Sequence, residues 1–142
     1  MGEQILVPYD RSPLSKRALE RALTKDPDDQ ITALYVIDPV LGVYEAEAKG
    51  LRAASTWHDR MTEQAEEICA DATEQASNHD CEITTVTESG RPARTILEYA
   101  DEHEIEHIIM GSHAREGVSR LILGSVAERV VRQAPMPVTI VR

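Results

Sequence analysis

The chain has 142 residues, of which 42% are hydrophobic, and its formal net charge is -10. This length and composition predict one globular domain over residues 1–142 and exclude a disordered chain. The charge disfavours nucleic acids and anionic membranes as partners, because both are bound through basic patches. Lys16, Lys25 and Lys49 are the only lysines, and this acidic, lysine-poor balance is typical of proteins from salt-loving cells.

The amino-terminal stretch MGEQILVPYDRS has no basic region followed by a long apolar run, which disfavours a signal peptide. No apolar stretch approaches the roughly 20 residues that cross a bilayer. We therefore predict a cytoplasmic protein. Cys69 and Cys81 fit no metal-binding spacing such as CxxC, so both are predicted to be reduced and structural.

The first predicted elements are a strand at residues 5–7 and a helix that follows it. Ser12 and Pro13 predict the N-cap and the first residue of this helix, since proline needs no hydrogen-bond acceptor there. A second strand is predicted at residues 31–37. Prolines and glycines then predict a loop over residues 38–55, with room for a short helix.

The second half of the chain continues the same alternation. The predicted elements are a helix through residues 61–72, a strand at 83–87, a helix over 93–100, a strand at 108–110, a helix over 123–131 and a strand at 138–141. Alternating strands and helices predict a parallel sheet with helices on both faces. Ligands of such sheets bind beyond the carboxyl ends of the strands, so the residues after each strand are the candidates for function.

The glycine-containing segment at residues 111–126 is the strongest local signal. Gly111 and Gly124 have no Cβ, so a ligand could approach their main chain closely. Gly124 and Ser125 stand at the start of the last helix, where free amide groups and the helix dipole favour an anion. The alternative is a structural turn with an ordinary helix cap, since the segment is neither a Walker A loop nor GxGxxG.

Polar side chains of the same segment fit a phosphate group. Ser112 and Ser125 can donate hydrogen bonds to phosphate oxygens. Arg115 and Arg120 are positive charges in an acidic chain and could offset the charge of a polyphosphate.

Asp10 follows the first strand, where a carboxylate can accept hydrogen bonds from two hydroxyl groups. The alternative is a turn aspartate that caps local amide groups. A phospho-acceptor receiver domain is disfavoured, because Thr87, Glu88 and Ser89 supply no acceptor aspartate after the third strand.

Four segments resemble, in order, the universal stress protein family. They are ILVPYDRSPLSKRAL, LYVID, SGRPARTILEYADE and HIIMGSHAREGVSRLILGSVAERVVRQAPMPVTIVR. The resemblance spans nearly the whole chain. It implies a three-layer α/β sandwich of the adenine nucleotide alpha hydrolase-like type, with a five-stranded parallel sheet in the order 3-2-1-4-5.

ATP-binding members of that family carry a glycine, two residues, a glycine, nine residues, a glycine and then Ser or Thr. Gly111, Gly124 and Ser125 match this spacing, whereas Ala114 stands where the second glycine is expected. If the main chain there needs a positive φ, alanine costs roughly 1 kcal/mol or more. If only the amide group of Ala114 is needed, nucleotide binding is retained.

The resemblance also implies roles for individual residues. Asp10 would bind the ribose hydroxyls or the base, with the adenine lined by Pro8, Tyr9 and Val36. The phosphates would be surrounded by Gly111, Ser112, His113, Arg115, Gly124, Ser125 and Val126. Mg²⁺ or Mn²⁺ would bind through the phosphates.

Family members also pair through the last strand, and the corresponding residues 138–141 would form an apolar edge that a second copy can satisfy. The alternative is an edge that Arg142 and the neighbouring prolines leave solvated. No further protein or nucleic-acid partner is indicated.

Three functions remain open at this stage. The first is a dimeric stress-response factor or switch that binds ATP, ADP or AMP. The second, motivated by Ala114, is a dimeric interaction module that binds no nucleotide. The third is a slow ATPase, although no committed general base is visible. The His103 and His107 pair does not predict a metal site, because no third ligand is evident.

Overall fold

The computed structural model describes residues 2–112 and 123–142. Its elements in chain order are β1 (Gln4–Pro8), α1 (Pro13–Lys25), β2 (Gln30–Ile37), α2 (Val40–Lys49), α3 (Leu51–Ser77), β3 (Thr84–Ser89), α4 (Pro92–Glu102), β4 (His107–Gly111), α5 (Ser125–Gln133) and β5 (Val138–Val141).

The strands form a five-stranded parallel sheet in the order β3-β2-β1-β4-β5, which confirms the predicted fold class. Helices cover both faces. The core on one face joins the sheet to α1 and α3, and the core on the other face joins it to α4 and α5. The chain therefore winds outward in both directions from β1, the central strand.

The central strand explains why the sequence begins with an unbroken apolar run. Ile5, Leu6 and Val7 are each 0% exposed. Ile5 and Val7 pack towards α1 and α3, whereas Leu6 packs towards α4 and α5. Because both faces of this strand are buried, its side chains do not alternate between apolar and polar.

Helix α1 begins as its sequence predicts. The Ser12 hydroxyl accepts a hydrogen bond from the Ser15 amide at 3.3 Å, and Pro13 is the first helical residue. This cap orients the first turn of the helix next to the residues that follow β1.

We expect Ser12→Ala to lower the free energy of unfolding by about 1 kcal/mol, because the Ser15 amide loses its acceptor. Urea denaturation measures the change. Ser77→Ala, at an exposed position ending α3, is the matched control and should change stability by less than about 0.5 kcal/mol. Equal effects of the two substitutions would contradict the capping role.

Residues 38–55, predicted as a loop with room for a short helix, are mostly helical. Helix α2 occupies Val40–Lys49, and α3 begins at Leu51, ten residues before the predicted start at Met61. Gly50 alone separates the two helices, with a φ of 91° that suits glycine. Gly42 lies inside α2, where a Cβ would approach the Trp57 ring to 2.7 Å, so this glycine lets α2 pack against α3.

Helix α3 is 27 residues long, but its outer face is rich in charged side chains. Within residues 2–112 and 123–142, no helix combines the length and apolar character needed to cross a membrane.

Candidate functional site

A cavity of about 320 Å³ opens at the carboxyl ends of the central strands. It lies between the ends of β1, β2 and β4 and the first residues of α4 and α5. Its described lining consists of Pro8, Tyr9, Asp10, Leu34, Tyr35, Val36, Pro92, Ile96, Met110, Gly124, Ser125 and Val126. This is the point where the winding of the sheet reverses, which is where ligands bind in open α/β sheets.

One wall of the cavity is apolar. Leu34 and Val36 come from alternate positions of β2, Met110 from β4 and Ile96 from the first turns of α4. All four belong to the core shared with α4 and α5. Such a wall suits a flat, largely apolar ring system.

Asp10 provides the carboxylate at the mouth of the cavity, immediately after β1. One of its oxygens, Oδ1, accepts a hydrogen bond from the Ser12 amide at 3.0 Å. The Asp10 amide lies 3.4 Å from the Ser15 hydroxyl. Asp10 is therefore both a turn-capping residue and a cavity residue, and the two interpretations of its sequence position are compatible.

The start of α5 provides amide donors on the opposite side. Gly124 is the N-cap residue, and its own amide donates to the Ser112 carbonyl at 2.7 Å. The next three amides, at Ser125, Val126 and Ala127, have no acceptor within the helix. No side chain of the described residues caps this end, so the amides and the helix dipole can face an anion.

Helix α4 also begins at the cavity, with Pro92 as its first residue and no side-chain cap within the described chain. Gly90, which turns the chain from β3 towards α4, has a φ of 155° and donates its amide to the Ile37 carbonyl at 2.9 Å. Two helix amino termini thus converge on one cavity, and both favour negative charge there.

Arg11, the residue after Asp10, does not add its charge to the cavity. Its φ of 68° lies in the left-handed region, and its guanidinium group reaches α3, 3.1 Å from Asp71 Oδ2 and 3.8 Å from Glu67 Oε2. The turn that carries Asp10 is therefore tied to the outer face of α3.

The model of the universal stress protein family matches the chain over residues 1–142. The chain belongs to the universal stress protein family. A universal stress protein of Methanocaldococcus jannaschii is 32% identical to it, over 99% of this chain and 82% of the relative.

Solved structures of similar proteins share the universal stress protein fold. A hypothetical protein, also a universal stress protein of Methanocaldococcus jannaschii, superimposes with a TM-score of 0.81 at 24% identity, covering 99% of this chain and 96% of its own. The universal stress protein from Archaeoglobus fulgidus solved in complex with dAMP has a TM-score of 0.70 at 18% identity, covering 100% and 98%. At these identities, the likeness establishes the fold.

In this universal stress protein, the structure brings together most of the residues that the sequence singled out. The cavity is lined by Pro8, Tyr9, Asp10, Val36, Gly124, Ser125 and Val126. Tyr9 contributes through its main chain, since its ring belongs to the core on the opposite face of the sheet. His113, Ala114, Arg115 and Arg120 lie outside the described residues.

Gly111 and Ser112 are absent from the described cavity lining, and the structure gives them packing roles. A Cβ on Gly111 would lie 2.7 Å from Leu14 Cβ and 2.9 Å from the Leu14 carbonyl carbon. Ser112 is 5% exposed, and its amide donates to the Val141 carbonyl at 3.0 Å. Close packing of β4 against α1 accounts for the missing side chain at position 111, and a contact of Gly111 with a ligand stays a prediction.

Sequence reasoning on this universal stress protein missed part of the lining. The missed residues are Leu34, Tyr35, Pro92, Ile96 and Met110. Leu34 could have been found, because side chains two positions apart in a strand share a face and Val36 was already a candidate. Pro92 stands at a predicted turn, whereas Ile96 and Met110 look like ordinary core residues in sequence.

Proposed function

We propose that this universal stress protein binds an adenine nucleotide, ATP or the related ADP or AMP, and acts as a nucleotide-dependent stress-response factor. The observation that carries the proposal is that Asp10 and the start of α5 border the same cavity. The complex of the Archaeoglobus fulgidus relative with dAMP supports the same class of ligand.

Each part of such a ligand has a matching surface. The base would lie against the apolar wall that includes Leu34 and Val36, and the ribose hydroxyls would donate to Asp10. The phosphates would meet the amides of α5 and the Ser125 hydroxyl. The volume of about 320 Å³ lies at the lower end of the range for small-molecule sites.

A divalent cation, Mg²⁺ or Mn²⁺, would bind through the phosphates rather than in a protein cage. The residues that the structure describes contain no group of three His, Cys, Asp or Glu side chains that could hold a metal ion. Magnesium commonly retains water ligands and binds to substrate phosphates. It would also reduce the repulsion between a polyphosphate and this acidic protein.

Calorimetric titration with ATP, ADP and AMP, with and without Mg²⁺, tests the proposal. We expect saturable binding, weakened about tenfold or more by Asp10→Asn, because a hydrogen bond to a charged group becomes one to a neutral group. The asparagine oxygen can still accept from the Ser12 amide, so the turn should be preserved. Titrations in low and in concentrated KCl are both needed, given the acidic, lysine-poor composition.

Asp28→Asn is the matched control, since Asp28 is exposed and lies at the amino-terminal end of the sheet. If no adenine nucleotide binds, and acid extraction of the purified protein releases none, the function is that of the interaction module without nucleotide.

The second element of the proposal is a homodimer formed through β5, the edge strand of the sheet. The Pro137 carbonyl accepts a hydrogen bond from the Ile108 amide of β4, and the Val141 carbonyl accepts one from the Ser112 amide immediately after β4. Because successive main-chain groups of a strand point to opposite sides, the amides of Val138 and Ile140 point away from β4. These outward-pointing amides support pairing with a second copy.

Sedimentation is expected to give about twice the monomer mass of 15.8 kDa at micromolar concentration. Val138→Pro removes an outward amide at the first residue of an edge strand, where proline is tolerated, and should weaken the dimer about tenfold or more. Val138→Ala keeps the amide and is the control. A wild-type protein that sediments as a monomer excludes the dimer.

A further inference from the structure

A second groove, on the opposite side of the sheet from the nucleotide cavity, lies between α1 and α3. Its volume is about 350 Å³. It is lined by Tyr9, Lys16, Glu20, Asp71, Glu74, Gln75 and Asn78. We call it the α1–α3 groove.

Tyr9 closes the inner end of the α1–α3 groove with a hydroxyl that lacks a partner. The residue is 3% exposed, and its hydroxyl oxygen has no hydrogen bond within the described part of the chain. Burial, together with the Asp71 carboxylate, raises the pKa of Tyr9 to about 12. The hydroxyl therefore stays neutral, and buried hydroxyl groups almost always have a hydrogen-bond partner.

The rest of the lining offers mainly acceptors. Glu20, Asp71 and Glu74 contribute carboxylates, and Lys16 contributes a positive charge. Arg11 lies 3.1 Å from Asp71 Oδ2, and the His79 ring lies 3.9 Å from Glu20 Oε1, so Glu74 is the carboxylate with no cation within ion-pair distance among the described residues. Gln75 donates one of its two side-chain N–H groups to the Lys16 carbonyl at 2.8 Å, and its side-chain oxygen is an acceptor.

The spread of these carboxylates determines which cation fits. Asp71 and Glu74 are about one helical turn apart on α3, and Glu20 is on α1. Among residues 2–112 and 123–142, no three His, Cys, Asp or Glu side chains are grouped closely enough for a metal ion. An elongated organic cation with several N–H groups matches acceptors that are spaced along a groove.

We propose that the α1–α3 groove binds a small aliphatic diamine, with the Tyr9 hydroxyl and the Asp71 and Glu74 carboxylates accepting its ammonium hydrogens. The proposal does not depend on nucleotide binding, since the two sites lie on opposite faces of the sheet. Tyr9 borders both, with its ring at the groove and its main chain at the cavity.

Titration of the full-length protein with 1,4-diaminobutane, followed by amide NMR at constant ionic strength, tests this proposal. We expect saturable shifts concentrated at residues 16–20 and 71–78. Tyr9→Phe keeps the ring and removes the hydroxyl, and it should weaken binding about tenfold, as for loss of a hydrogen bond to a charged group.

Glu74→Gln should also weaken the binding of 1,4-diaminobutane, whereas Glu63→Gln, an exposed position on the same helix, should not. If Tyr9→Phe does not fold, the comparison of Glu74→Gln with Glu63→Gln is sufficient to test the proposal. The proposal is overturned if the shifts scatter over the acidic surface, if NaCl or MgCl₂ reproduces them, or if the affinity is the same in Tyr9→Phe. The groove would then hold only ordinary counterions, with water bound to Tyr9.

Discussion

Gly124→Val is expected to lower the affinity for adenine nucleotide about tenfold or more while leaving the protein folded. Gly124 lines the cavity beside the amides of α5. Its φ of -63° and ψ of 157° are extended values that valine adopts without strain. The branched side chain would instead occupy space needed by the phosphates, and overpacking of this kind costs about 1–3 kcal/mol.

Calorimetry measures the loss of affinity, and circular dichroism and urea denaturation show whether the fold is kept. Gly124→Ala adds one carbon instead of three and should have an intermediate effect on binding. Unchanged affinity in a folded Gly124→Val variant would mean that the phosphates do not bind at the start of α5. The proposed nucleotide site would then have to be abandoned.

Gly111→Ala is expected to have a different effect, a loss of about 1–3 kcal/mol in the free energy of unfolding. The new Cβ would lie 2.7 Å from Leu14 Cβ and 3.0 Å from the Leu14 carbonyl oxygen. Main-chain atoms of a helix cannot yield as a flexible side chain can, so α1 has to move away from β4. Urea denaturation measures the change.

The two glycines serve as controls for each other. We expect Gly111→Ala to act on stability and Gly124→Val to act on binding. The reverse pattern, a stable Gly111→Ala variant that has lost nucleotide, would show that the first glycine of the loop contacts the ligand after all.

Much of the fold could be predicted because its signals are local. The Ser12 and Pro13 pair marks the start of α1 in any context, and the alternation of strands and helices leads to a parallel sheet. Asp10 and Val36 were found as site candidates from their positions at strand ends. Each of these inferences depends on neighbouring residues or on a general rule of sheet topology.

Contacts with a partner that is distant in sequence could not be predicted. Gly42 indicated a loop, but it lies in a helix and packs against Trp57. Gly111 was a candidate for ligand approach, which stays a prediction, and its close contact with Leu14 was not foreseen. Neither partner is adjacent in sequence, so no local pattern could reveal the contact.

Tyr9 lines the cavity, and a simple rule indicates which part of the residue can do so. Successive side chains of a strand point to opposite faces, so the Pro8 and Tyr9 side chains cannot both face the cavity. The structure places the Tyr9 ring in the core beside α1 and α3.

Ser112 lies between the two proposed interactions, nucleotide binding and pairing through β5. Its amide bonds to Val141 in β5, and its carbonyl bonds to Gly124 at the start of α5. Two hydrogen bonds of one residue thus connect β5, where a second copy is proposed to pair, with the cavity where nucleotide is proposed to bind. If pairing of two copies shifts these hydrogen bonds and alters nucleotide affinity, nucleotide must alter pairing by the same factor.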